Sequence, residues 1–217
     1  MKLSKQVSSD KEWIVTPAAD KIISLTDHQQ KWLHTYYLKK IPEYQSITQE
    51  YMADKAKSVT LRKRSLFPSK DKWSPPLRKI SEIDRQLLIG PPSSAFLLRK
   101  VQLHLSKTGR WITYSSSQFQ QSTRISSAYV CVSNEHSKAP QFGRISMIFS
   151  HKFGNYTGIF AMVTLYGDAT FDQDVAMWFT PPITETVVML PIEDLSEPLV
   201  VAHDDGNMVT WFLNYFQ

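Results

Sequence analysis

From residue 96 onward, the apolar residues of this chain recur at every second position. Val101, Leu103 and Leu105 alternate with Lys100, Gln102 and His104, as in a strand with one dry face and one wet face. Similar runs predict strands at 110–114, 125–132, 142–151, 158–166, 175–180, 186–190, 198–202 and 208–214. Phe153-Gly154-Asn155-Tyr156 supplies turn chemistry between two of them. Short strands at such close spacing predict a small barrel or sandwich, and a mostly antiparallel β-barrel of about seven strands is the form expected here. Ile145, Met147, Phe149, Ile159, Ala161 and Val163 share one period-two phase and are expected to point inward.

The chain before residue 96 reads differently. A helix is predicted from about Thr26, which can cap the free amides of the first turn, and Asp27 adds a favourable negative charge there. Trp32, Leu33, Tyr36 and Tyr37 follow the spacing of one apolar helix face. Pro42 ends that helix near Lys40. A second helix is predicted over 46–56, with Ile47 and Tyr51 four apart, completing a helical hairpin. Residues 1–23 mix charges with Trp13, Ile14 and Val15 and read as a short strand or extended arm. Pro68, Pro75, Pro76, Pro91 and Pro92 break up residues 57–95, where Ile80, Ile83, Leu87 and Leu88 suggest one short helix. The expected fold class is therefore α+β: a basic helical and loop region over 1–95, then a β-barrel module over 96–217.

Charge divides along nearly the same line. Residues 1–110 carry 21 Lys+Arg against 10 Asp+Glu, a net of +11, and residues 111–217 carry 4 against 10, a net of −6. The overall +5 hides this asymmetry. No apolar stretch has the length of a signal peptide or a membrane span, so no membrane partner is expected. The single Cys131 cannot make an internal disulfide, which fits a reducing compartment, nuclear or cytoplasmic. Its setting in Ala128-Tyr129-Val130-Cys131-Val132 reads as a buried structural thiol.

Motifs for chemistry are missing. No two of His28, His34, His104, His136, His151 and His203 stand four apart with a carboxylate between, and there is no cysteine pair. His203-Asp204-Asp205 is the densest ligand cluster, but Gly206-Asn207 follows, so a turn between strands is expected. Phe171-Asp172-Gln173-Asp174 lacks the glycine and distal glutamate of a calcium loop. There is no Gly-x-Ser-x-Gly elbow and no Gly-rich phosphate loop. No catalytic residue, metal or cofactor is expected, and the chain reads as a non-enzyme.

The basic segment is the stronger signal. Lys55, Lys57, Arg62, Lys63, Arg64, Lys70 and Lys72 fall within 18 residues, followed by Arg78 and Lys79, with Phe67 and Trp73 interleaved. Such cations neutralise phosphates and release counterions, and an aromatic such as Trp73 can stack on unpaired bases. Arg62-Lys63-Arg64 also matches a nuclear localisation run. The alternative is a solvated basic face that pairs with the acidic half. Tyr129, Phe142, Phe149, Phe153, Phe160, Tyr166, Trp178, Phe179, Trp211 and Phe212 lie mainly on strand patterns and are expected mainly in the core, with a minority available to line a groove or a cage for a peptide or a cationic side chain.

The strand half also carries a resemblance. Arg124-Ile125-Ser126-Ser127-Ala128-Tyr129-Val130, then Phe142-Gly143-Arg144-Ile145 and Ile148-Phe149-Ser150-His151, then Phe160-Ala161-Met162-Val163, Pro198-Leu199-Val200-Val201 and Trp211-Phe212-Leu213-Asn214 form an ordered series. It resembles the C-terminal accessory module of CACTA-like transposon-derived proteins of invertebrate genomes. The Tyr36-Tyr37 to Tyr51 region resembles the segment before that module. In that family the transposase chemistry lies upstream, in an RNase H-like domain with three carboxylates. The resemblance thus implies a non-catalytic accessory module with a small β-barrel like those of chromatin-associated proteins, and it transfers no site residue.

The leading expectation is a nuclear, transposon-derived module that contacts DNA or RNA through Lys55, Lys57, Arg62, Lys63, Arg64, Lys70, Lys72 and Trp73. An alternative is a protein-interaction module whose barrel binds a peptide or partner helix. A third is an unrecognised hydrolase. The oligomeric state is not legible in the sequence.

Overall fold

The computed structural model describes residues 6–8, 11–46, 49, 90–105, 109–119, 127–132, 140–196, 198–204 and 208–212. They form β1 (Gln6–Ser8), β2 (Lys11–Ser24), α1 (Asp27–Lys40), β3 (Ser94–Leu105), β4 (Arg110–Ser115), β5 (Tyr129–Val132), β6 (Gln141–Phe153), β7 (Tyr156–Tyr166), β8 (Thr170–Asp172), β9 (Met177–Thr180), β10 (Ile183–Pro191), β11 (Val200–Asp204) and β12 (Met208–Phe212). A further helix begins at residues 42–46. The chain divides into two compact units. The first comprises Met1–Ile23, Ser94–His151 and Gly158–Gln217, and the second Ser24–Ser93 with Lys152–Thr157.

The architecture corrects the expected fold class. The described residues are nearly all β, not a helical region followed by a barrel. Residues 6–24, expected as at most a short strand or arm, supply β1 and the 14-residue β2 of the main sheet. That sheet has eight strands in the order β1-β2-β3-β6-β7-β10, with β4 also on β3 and β5 also on β6. Its outer strands β1 and β10 do not meet, so it stays open. The barrel implied by the family resemblance is likewise not observed. A second antiparallel sheet has the order β11-β12-β9-β8.

The main sheet forks at its centre, which explains the missed closure. The same edge of β3 pairs with β6 at Phe96–Leu98 and with β4 at Lys100–Leu105. The same edge of β6 pairs with β5 at Gln141–Arg144 and with β3 at Ile148–Ser150. Buried Ser116 stands in the cleft: its N–H donates to the Arg99 carbonyl at 3.4 Å and its hydroxyl to the Ser146 carbonyl. Both strands change side-chain phase there. The core takes Leu98, then Val101 and Leu103, from β3, and Ile145, then Ile148, from β6.

That phase change alters the expected inward set. Ile145, Ile159, Ala161 and Val163 lie in the core, joined by Trp13, Val130, Leu165 and Ile192. Met147 is only half-buried, and Ile148 takes its place. Phe149 is fully buried on the opposite face, with Leu97 across the strand pair and the Phe160 ring centroid 5.7 Å away. A strand apolar on both faces hides the shift, because period two carries phase information only where one face is wet.

Local chemistry explains the turns. Gly154 and Asn155 form the two-residue β6–β7 link, and Gly154 has φ +58°, a sign that suits the first central position of a type II′ turn. Pro17, which cannot donate to a ladder, sits in β2 beyond Trp13, the last residue paired to β1.

Candidate nucleic-acid interface

The second unit is the basic one. Its residues carry 14 Lys+Arg against 7 Asp+Glu, a net of +7, which leaves −2 for the first unit. All eight predicted nucleic-acid contacts, Lys55, Lys57, Arg62, Lys63, Arg64, Lys70, Lys72 and Trp73, lie outside the described residues. So does most of the expected 46–56 helix. The described part of this unit is α1, the helix start at 42–46, residues 90–93 and the tip of the β6–β7 hairpin.

Helix α1 starts where its sequence predicts. The Thr26 hydroxyl accepts from Gln29 N–H at 3.4 Å, and Gln29 Oε1 accepts from Thr26 N–H at 2.8 Å. This reciprocal pair is a capping box with Gln in the place of Glu. Asp27 lies in the first turn and Lys39 and Lys40 in the last, each complementing the helix dipole. Ile41 N–H closes on the Tyr37 carbonyl at 2.9 Å.

Trp32, Leu33, Tyr36 and Tyr37 of α1 divide into two stripes. Leu33 and Tyr37 are fully buried. Tyr37 packs 5.1 Å from the Phe153 ring and edge-on to Tyr156 at 5.6 Å, and Tyr44 meets Phe153 edge-on at 4.9 Å. Burial pushes the phenols of Tyr37 and Tyr44 upward, and Tyr156 adds to the effect at Tyr37. They are packing groups, not acid–base groups.

The second stripe is half-exposed. His28, Trp32, Tyr36 and Lys40 stand four apart, one above another on the helix surface. Trp32 stacks on Tyr36 with centroids 5.3 Å apart and planes 9° apart. Lys40 Nζ lies 5.8 Å from the centre of the Tyr36 ring, within cation–π range. The hydroxyls of Tyr36 and Tyr156 are 3.0 Å apart, anchoring the ladder to the hairpin tip. Exposed Lys31 and Lys39 flank it. A ladder of flat rings with ammonium groups at its margins suits unpaired bases and phosphates. The sequence reading placed all four apolar residues on one face; the four-residue step to Lys40 is the signal that separates the two stripes.

The remaining candidates are accounted for structurally. Asp172 Oδ1 accepts from the amides of Asp174 at 2.9 Å and Val175 at 3.4 Å, as a turn residue between β8 and β9. His203 and Asp204 pair with Val209 and Met208 in the β11–β12 hairpin, and Asp205 lies outside the described residues. Among the described residues, no three His, Cys, Asp or Glu gather as a metal site. The Cys131 amide donates to Ser196 Oγ at 2.7 Å, and burial pushes its thiol upward despite an opposing backbone hydrogen bond from Gln141. Tyr129, Phe142, Phe149, Phe153, Phe160 and Tyr166 are buried as expected, and Trp178 and Phe179 are half-buried. Tyr166 is raised by burial and by Tyr129, against the opposing charge of Arg144.

No helix among the described residues is long and apolar enough to cross a membrane. No known protein family, curated protein or solved structure matches this chain.

Proposed function

We propose that this protein is a non-catalytic nuclear module that binds single-stranded DNA or RNA through its basic second unit. The observation that carries this reading is the half-exposed Trp32–Tyr36 stack with Lys40 at its end, on a unit with a net charge of +7. Bases stack on the ladder, while Lys31, Lys39, Lys40 and the cations of 55–79 neutralise phosphates. Segment 55–79 is poor in Asn and Gln, so the contacts are mainly to phosphate and ring faces, and binding tolerates sequence. Arg62-Lys63-Arg64 supports nuclear entry. A transposon-derived origin belongs to the same proposal and rests on the ordered series from Arg124 to Asn214.

The test is fluorescence anisotropy of a labelled single-stranded 20-mer across a salt series. The expected result is weak, sequence-tolerant binding with a steep salt slope. Replacing Arg62, Lys63 and Arg64 together with Gln should flatten that slope by up to about 3, one per lost phosphate contact. An unchanged affinity and slope in the triple variant would make the segment a solvated charge patch.

A further inference from the structure

The first unit carries a groove that the proposed function does not use. Pro17, Ala18 and Lys21 from β2, Arg99 from β3 and Phe119 line an open space of about 360 Å³, near the lower end of small-ligand sites. Ala18 is buried and Pro17 half-buried, giving an apolar floor; Lys21 and Arg99 are exposed at the margin. Among the described residues, no acidic side chain lines the groove and neither cation has an ion pair. These two cations give the groove two positive charges in a unit whose net charge is −2.

The wall is fixed rather than loose. Phe119 ends the 3-10 turn Ser117–Phe119, and its N–H donates to the Ser116 carbonyl at 3.1 Å. Ser116 is buried and tied to both Arg99 and Ser146 at the fork of the sheet. The turn that carries Phe119 and the strand that carries Arg99 are thus joined through one hydrogen-bonded node at Ser116.

We propose that this groove binds a phosphate monoester carried on a flat ring, a nucleoside 5′-phosphate. The guanidinium of Arg99 offers a planar fork to two phosphate oxygens, and the Lys21 ammonium supplies the second charge of the dianion. The ring of the base packs against Phe119 over Pro17 and Ala18. Two sources present this chemistry: a free mononucleotide and the phosphorylated 5′ end of a strand.

The experiment is an NMR titration of the full-length protein with AMP, adenosine and inorganic phosphate. AMP should give saturable shifts at the amides of residues 18–21, 99 and 119, and adenosine and phosphate should each bind at least about tenfold more weakly, having lost the charged or the flat half of the ligand. K21Q and R99Q, both at exposed positions, should keep the melting temperature and each weaken AMP at least about tenfold, as expected for one charge-assisted hydrogen bond. Displacement of AMP by a 5′-phosphorylated strand but not by its 5′-hydroxyl form supports the proposal with strand ends as the source; retention of AMP supports it with free nucleotides. Inorganic phosphate binding as well as AMP, unchanged AMP binding in K21Q/R99Q, or no saturable shift overturns it. The W32A/Y36A variant should leave AMP binding intact, so failure of the ladder reading and failure of the groove are separately visible.

Discussion

Phe153→Ala removes the centre of the aromatic packing behind the proposed ladder. The ring is 2% exposed, with Tyr37 at 5.1 Å and Tyr44 at 4.9 Å between centroids. Deleting a buried Phe side chain costs about 3–5 kcal/mol, through lost transfer energy and the cavity left behind. Phe153→Leu keeps most of the apolar volume and loses the two ring–ring geometries, each worth about 0.5–1.5 kcal/mol, so it should cost about 1–3 kcal/mol. Urea titration gives the global cost, and amide exchange at Leu33 and Tyr37 reports the second unit directly. In a double-mutant cycle, Phe153→Leu with Tyr44→Leu should show a coupling of about 0.5–1.5 kcal/mol. A loss below about 1 kcal/mol for Phe153→Ala, the range of surface substitutions, with exchange unchanged, would refute this packing.

In Gly143→Ala, the added methyl would collide with Val163 Cγ1 and lie 3.2 Å from the Thr164 carbonyl, so thermal denaturation should show a loss of about 1–3 kcal/mol from overpacking. Above about pH 10 the unfolded chain releases its tyrosine protons, whereas Tyr37, Tyr44 and Tyr166 hold theirs because burial raises them. Their contribution is therefore intact below pH 10 and lost as pH rises beyond it, and Tyr37→Phe should make the alkaline melting curve less steep in pH. A chelator should leave the melting temperature unchanged, because no metal-ligand spacing occurs in the sequence; a large drop would direct attention to His203, Asp204 and Asp205.

The strands were legible because their alternation is local. Leu103, facing Ile112 across β3–β4, announces its strand through its own neighbours. Sheet closure was not legible, since it depends on which edges meet. Ser116 and Ser146, 30 residues apart, help hold the fork, and nothing in either residue's neighbourhood signals it. β2 was hidden by its charges and by Pro17, which weaken a strand pattern even where an edge tolerates them. At the ladder, the cap, the spacing and Lys40 were readable, but the division between buried Leu33 and Tyr37 and half-exposed Trp32 and Tyr36 required the packing of Phe153 and Tyr156, more than a hundred residues away. Lys21 and Arg99 line one groove only because β2 and β3 are neighbours.

The most direct measurement compares W32A/Y36A with the natural sequence in single-strand binding over a salt series. Stacking contributes about 1–3 kcal/mol per base, so losing both rings should weaken binding at least about tenfold. The salt slope should stay the same, because no phosphate contact is removed. Equal affinity for the two proteins, with the fold intact by circular dichroism, would contradict the assignment of the ladder to nucleic acid.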